Sequence, residues 1–279
     1  MRKPETELPF TFDRPLVMGV LNTTPDSFSD GGRFAKFSEA VDHALLMVAS
    51  GADIIDVGGE STRPGAAPVT VAQEIDRVVP VIEAVGRIID VPLSIDTSKP
   101  AVMRAAVSAG ASLINDIRAL REDGALETAV RLQRPVCLMH MQGQPRTMQE
   151  KPYYDDVVAE VTQFLRERVA QCVAAGLSED LLIVDPGFGF GKTAQHNIEL
   201  LRNLRQLAQI GCPVLIGISR KVTLGTLTGR DVNNRLAASA AAAALAVERG
   251  AHFVRAHDVA ATVDAVKVAR SLIDAGGAE

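Results

Sequence analysis

The sequence predicts a (β/α)8 barrel over residues 16–275, behind a short lead-in at 1–15, and three observations carry the prediction. Eight brief, mostly apolar runs punctuate the 279 residues, and unbroken apolar runs read as strands buried on both faces, as in a parallel sheet. Helix-like stretches alternate with these runs. The length matches the roughly 250 residues of such barrels, whose active sites lie at the C-terminal ends of the strands.

Each run closes on a polar or charged residue. Leu16–Leu21 ends at Asn22, Ile54–Ile55 at Asp56, Val91–Ile95 at Asp96 and Leu113–Ile114 at Asn115. Val136–Met139 ends at His140, Leu181–Val184 at Asp185, Val214–Ile218 at Ser219 and Phe253–Val254 at Arg255. In a barrel these closing residues converge on one pocket. Helices are expected near 38–50, 71–87, 99–109, 122–132, 155–175, 195–209, 233–249 and 258–274. Gly-Ala pairs at 51–52, 110–111 and 250–251 mark where three of them hand over to the next strand.

Composition narrows the class. With 47% hydrophobic residues the chain can bury a large core, and no composition shift marks a second domain. The lead-in lacks the apolar stretch of a signal peptide, and no run is long enough for a membrane span. A net charge of −5 argues against a general nucleic-acid footprint. Cys137, Cys172 and Cys212 are odd in number and lack metal-ligand spacing, so buried thiols in a reducing cytoplasm are expected. The alanine-rich run 236–246 reads as a helix packed closely on its neighbours, or as a subunit seam.

Two segments, 22–37 and 58–70, exceed the roughly 2–6 residues of ordinary βα loops and are rich in Gly, Pro, Ser and Thr, as substrate-covering loops are. The run from Asp185 to Thr193 invites a phosphate-loop reading, but Gly187 leaves three residues before Gly191-Lys192 where four are required. Its glycines still let backbone approach a flat ligand, with Phe188 or Phe190 as a wall. Asp56, Asp96, Asp185, Asn22 and Asn115 would face donors or a divalent cation. Asp96 also resembles a helix N-cap. Arg63, Arg220, Lys221, Arg255 and His257 would oppose them as an anion site. His140 lines the pocket, while His43, His196 and His252 are structural.

These same residues resemble a known family. The segments 18–32 and 51–65 closely resemble the two signatures of the dihydropteroate synthases. Ser94–Thr97, Asn115–Ile117, Met139–Met141, Asp185–Phe190, Ser219–Lys221 and Arg255–Asp258 follow in the family's order, with mild departures at Thr23 and Ala256. The resemblance implies a transferase joining a dihydropterin pyrophosphate to p-aminobenzoate, with sulfonamides as inhibitors and a homodimer as the usual assembly. By resemblance, Asp96, Lys221, Asp30 and Arg63 act in catalysis. The pterin would meet Asp96, Asn115, Asp185, Lys221, Arg255, Met139, Ile117 and Phe190. Pyrophosphate would meet Asn22, Thr62, Arg63, Arg255 and His257, with Mg2+ on Asn22. The p-aminobenzoate would lie among Phe28, Thr62, Pro64, Phe190 and Ser219. Two weaker alternatives share the barrel: a methyltetrahydrofolate–corrinoid methyltransferase and a catalytically silent pterin-binding paralogue.

Overall fold

The computed structural model describes residues 11–24, 33–61, 67–144 and 147–275, with backbone alone at 33–36 and 275. Eight parallel strands are present: β1 Leu16–Asn22, β2 Ile54–Gly58, β3 Leu93–Asp96, β4 Leu113–Asp116, β5 Val136–Met139, β6 Leu182–Asp185, β7 Leu215–Ile216 and β8 Phe253–Ala256. They run in the order β6-β5-β4-β3-β2-β1-β8-β7, and a parallel bridge from Val184 to Val214 joins the two ends. The sheet is thus a nearly closed barrel, joined at its two ends by that bridge.

The helices are α1 Arg33–Ala49, α2 Val71–Val85, α3 Pro100–Ala109, α4 Ala125–Leu132, α5 Val157–Ala174, α6 Ala194–Arg202, α7 Leu204–Ala208, α8 Val222–Thr228, α9 Leu236–Glu248 and α10 Val259–Ala275. The single helix expected at 195–209 is broken at Asn203, whose side-chain amide donates to the Glu199 carbonyl at 2.9 Å and competes with the helix ladder. The strand expected at Val214–Ile218 is shorter because a tight turn has begun: Lys221 N donates to the Ile218 carbonyl at 3.2 Å. Helix α8 was not expected. The alanine-rich α9 packs against α10, burying Ser239, Ala242, Ala243, Ala246 and Val247.

Strand parity sorts the core. Outward residues such as Val17, Ile55, Ile95, Ile114, Leu138, Val184, Ile216 and Val254 form one apolar shell with the helices. Inward residues at the N-terminal end, Met18, Ile54, Leu113, Cys137, Ile183, Leu215 and Phe253, form a separate apolar floor. The lead-in contributes to it: Phe12 lies edge-on to Phe253 and His252, closing the barrel from below. Two residues further along the same strands the inward positions become Val20, Asp56, Asn115, Met139, Asp185 and Arg255. A polar chamber therefore rests on an apolar plug.

Candidate active site

Asp56 lies inside β2 rather than at its end, because the strand continues to Gly58. It is fully buried, and its Oδ2 accepts from Arg255 Nε at 2.6 Å and from Asn115 Nδ2 at 3.0 Å. Arg255 Nη2 donates to Asp96 Oδ2 at 2.7 Å. The chamber is therefore not a carboxylate wall facing a cationic wall, as the sequence suggested. One guanidinium is wedged between two carboxylates. Asp96 does not cap α3, whose N-cap is Lys99. Thr97 Oγ1 accepts from Lys99 N, and Ser98 hydrogen-bonds Asp116 instead.

Burial sets the electrostatics. Desolvation pushes the Asp96 carboxyl up to about 7 despite Arg255, with Asp56, Glu74 and Asp116 adding to the rise. Asp185 is raised to about 6 by desolvation, against the hydrogen bond it accepts from Gly187 N (2.7 Å) and the nearby cations Lys221, Lys192 and Arg255. Lys221 falls to about 8 through burial and Arg255, partly offset by Asp185 and Asp96. Burial works against the charge of Arg255, but Asp56 and Asp96 more than offset it and hold its pKa above the usual value.

The glycine-rich loop after β6 is folded on its own lysine. Lys192 is buried, and its Nζ reaches the carbonyls of Phe190 (3.0 Å) and Gly187 (3.1 Å) and the His140 Nδ1 (2.9 Å). Burial lowers Lys192 to about 7, and the loop's own acceptors take up its N–H donors, so it is not placed as a phosphate ligand. Burial and Lys192 lower His140 to about 2, so the ring is a neutral acceptor. His140 stands behind the loop, edge-on to Phe164, and is not the pocket lining expected. Gly187 has φ +68°, and a Cβ there would lie 1.8 Å from the His140 carbonyl oxygen, so only glycine fits. The loop sets Phe190 beneath Lys221, whose Nζ sits 4.0 Å from the ring centroid. Phe190 also clusters with Ile117, Met139, Met141 and Met148 as an apolar slot beside the charged chamber.

At the β7–β8 rim, Ser219 Oγ accepts from His257 N and lies 3.2 Å from its ring Nδ1. His257 is lowered to about 3 by burial and by Arg255, Arg220 and Lys221, so it offers an N–H donor rather than the expected positive charge. Arg220, expected in the pocket, adopts φ +60° and pairs outside it with Asp258 at 2.5 and 2.9 Å. Asn22 closes β1 beside Gly58, where a Cβ would lie 3.6 Å from Asn22 Oδ1 and 3.8 Å from Asp96 Oδ2. Among the described residues no three His, Cys, Asp or Glu side chains converge on a metal position. The side-chain oxygen that Asn22 presents beside Gly58 is a hard donor of the kind Mg2+ takes, and any such ion would draw its remaining ligands from water and phosphate. Asp30, Phe28, Thr62, Arg63 and Pro64 lie outside the described residues. The near stem of their second loop is tied down: Lys99 Nζ bridges Glu60 and Glu74, and Glu60 accepts from Val69 N.

A family model described as "Pterin binding enzyme" matches residues 18–257. The chain belongs to this family. Its similarity to the dihydropteroate synthase of Escherichia coli strain K12 is 52% identity over 261 residues, covering 94% of this chain and 93% of that one. That likeness places it among the dihydropteroate synthases, which are transferases. The fold is equally close to a Yersinia pestis dihydropteroate synthase solved with a sulfonamide drug: TM-score 0.91, 49% identity, covering 95% of this chain and 96% of that one. A Xanthomonas albilineans dihydropteroate synthase in complex with 7,8-dihydropteroate superposes with TM-score 0.87 and 50% identity, covering 94% and 95%.

Sequence reasoning missed Lys192, Asp116, Met141 and Met148. Lys192 stood in a motif whose phosphate reading failed on spacing, and nothing local reveals that its partners are carbonyls of the same loop. Asp116 is buried on the outer face of β4 and accepts from the backbone N–H groups of Arg118 and Leu120, both at 2.8 Å. It thereby fixes a turn in which Ala119 and Leu120 are left-handed.

Proposed function

We propose that this chain condenses 6-hydroxymethyl-7,8-dihydropterin pyrophosphate with p-aminobenzoate, releasing pyrophosphate and 7,8-dihydropteroate in folate synthesis. The observation that carries this reading is the guanidinium of Arg255 held edge-on by Asp56 and Asp96, in a barrel half-identical to known synthases over nearly its whole length. Hydrogen bonds in the guanidinium plane leave its faces free, and one face stacks on the flat pterin. Asp185 accepts from the pterin amino group and the adjacent ring N–H as a carboxylate does from arginine. Asn115 serves the same edge, Lys221 donates to the ring carbonyl side, and Ile117, Met139 and Phe190 line the slot.

The substitution is dissociative. The C–O bond to pyrophosphate breaks first, the electron pair leaves with the pyrophosphate, and the cation is delocalised into the ring. Asp96 beside ring nitrogen N8 stabilises that charge more than the ground state, and the growing cation itself favours the ionised carboxylate. Arg255, Arg63, Thr62, Asn22 and the His257 N–H receive the leaving group. A bound Mg2+ supplies further charge neutralisation there. The aniline nitrogen of p-aminobenzoate, held among Phe28, Thr62, Pro64, Phe190 and Ser219, attacks the cation and then loses its proton, so no strong base is needed. Asp30 helps hold the first long loop over the site. Sulfonamides compete as mimics of p-aminobenzoate.

A homodimer joined near α9, and a cytoplasmic setting, complete the proposal. Leu236 and Leu245 are exposed on α9, and the three cysteines are buried free thiols. The described residues include no helix long and apolar enough to cross a membrane. The test is pyrophosphate release from the dihydropterin pyrophosphate with Mg2+, with and without p-aminobenzoate. Release that depends on p-aminobenzoate and yields dihydropteroate is expected. Tight pterin binding without release would instead make the chain a silent pterin-binding paralogue.

A further inference from the structure

Asp56 touches no substrate in the scheme above, yet it hydrogen-bonds two residues that do, Arg255 and Asn115. We infer that Asp56 is a positioning residue that draws Arg255 off Asp96 and fixes the amide of Asn115, both through its Oδ2. The inference rests on the roles proposed for Asp96, Asn115 and Arg255.

The first half follows from arginine chemistry. An arginine beside a single carboxylate tends to pair with it bidentately, through two parallel N–H···O bonds. Here the two donors are divided, Nε to Asp56 Oδ2 at 2.6 Å and Nη2 to Asp96 Oδ2 at 2.7 Å. Asp96 Oδ1 is thereby left for the positive charge that forms on the pterin. Without Asp56, both Arg255 donors would turn onto Asp96 and neutralise it.

The second half follows from donor counting. An ionised carboxylate only accepts, so Asn115 must present its NH2 to Asp56. Its amide oxygen is then turned away from Asp56 as an acceptor. A pterin edge rich in N–H groups needs that acceptor, and a flipped amide would set donor against donor. Asp56 is fully buried, and among the described residues its Oδ1 makes no hydrogen bond, so its anchoring passes through Oδ2 alone. In register, Asp56 lies beside Ser94 on β3, two residues before Asp96. The carboxylate lies in the same inward layer as Asn115 and Arg255 and acts on the reaction through them.

The experiment compares Asp56→Asn with Asp56→Ala in the full-length chain. Affinity for the dihydropterin pyrophosphate is read by calorimetry, and turnover is read across pH. The Asn amide oxygen retains an acceptor for both donors, so its pterin Kd should stay within about threefold of wild type, whereas Asp56→Ala should weaken it about tenfold or more. Both should lower kcat, Ala by about a hundredfold as Arg255 closes onto Asp96. The acid limb of kcat is the sharper readout. The charged groups facing Asp96 are Arg255 on β8, Asp56 on β2, Glu74 on α2, Asp116 on β4 and Lys221 after β7. Removing the Asp56 charge makes Asp96 easier to ionise, so in Asp56→Asn the limb should move about half a unit or more to lower pH.

A purely structural Asp56 would lower the melting temperature and leave that limb in place, which would overturn the inference. Equal pterin Kd for wild type, Asn and Ala would overturn it too. If Asp56→Ala does not fold, the Asn limb shift decides. A wild-type protein that binds the pterin but releases no pyrophosphate would remove the synthase reading. The Kd comparison would then still decide whether Asp56 positions Asn115.

Discussion

The floor and the mouth of this barrel are built on the same strands, with the same inward parity, two residues apart. At the floor, Ile54, Leu113, Ile183 and Phe253 pack as an apolar plug. At the mouth, Asp56, Asn115, Asp185 and Arg255 occupy the next inward positions; carboxylates sustain the charge of Arg255, whereas desolvation outweighs the cations around Asp185. Burying apolar surface lowers the folding free energy, while burying a charge raises it unless partners repay the lost hydration. The floor therefore supplies stability and the mouth consumes it. Substitutions at the two levels should have opposite signatures.

The largest effect is expected at the mouth. Two charge-assisted hydrogen bonds to the pterin, each on the order of 1.5–3 kcal/mol, make Asp185→Ala a loss of about two to four orders of magnitude in affinity for the dihydropterin pyrophosphate. Asp96→Ala should spare that affinity and lower kcat instead, because its charge matters most after the C–O bond has broken. Calorimetry and single-turnover release on both variants separate the two roles. Equal loss of binding in both would refute the division of labour.

Floor substitutions should do the reverse. Phe253 is fully buried, edge-on to Phe12, and Phe253→Ala should cost about 3–5 kcal/mol of folding stability. Since Arg255 follows two residues later on the same strand, the chamber should survive in molecules that remain folded. The expected result is a much lower urea midpoint with pterin Kd nearly unchanged at low temperature. A pterin Kd that rises as stability falls would mean that the floor also shapes the site.

How far this division could be read in the sequence differs between the two levels. Strand parity, and with it the inward placement of Asn22, Asp96, Asn115 and Asp185, follows from short apolar runs closed by polar residues, a local pattern. The pairing of Arg255 with Asp56 spans 199 positions and no local signal specifies it. The same holds for Lys192, whose partners are carbonyls without side-chain identity, and for Arg220, which differs from Lys221 only in being turned outward by a left-handed backbone. The neutral state of His257 is equally illegible, since it arises from burial first and then from three cations brought together by the barrel. Sequence shows which residues reach the chamber; their protonation and pairing are properties of the folded barrel.

The smallest predicted effect tests whether the mouth truly opposes folding. Asp185 ordinarily titrates near 3.8 and in the folded protein near 6. Between those values the folded state holds the proton that the unfolded state has released, so stability falls as pH rises from about 4 to 6 and stays lower above that range. Asp185→Asn removes the ionisable group and retains an acceptor for the Gly187 N–H. At pH 8 it should therefore stabilise the ligand-free protein by about 1–3 kcal/mol, a rise of roughly 2–4 °C in Tm for each kcal/mol. Lys192 and Lys221 lose an attractive neighbour, but with pKa values near 7 and 8 they are already partly discharged at that pH, which limits the offset. At pH 4 wild-type Asp185 is protonated in the folded state and the gain should vanish. Thermal melts of the two proteins at pH 4 and pH 8 test this directly. A gain of equal size at both pH values would trace the effect to packing and remove the electrostatic contrast between floor and mouth.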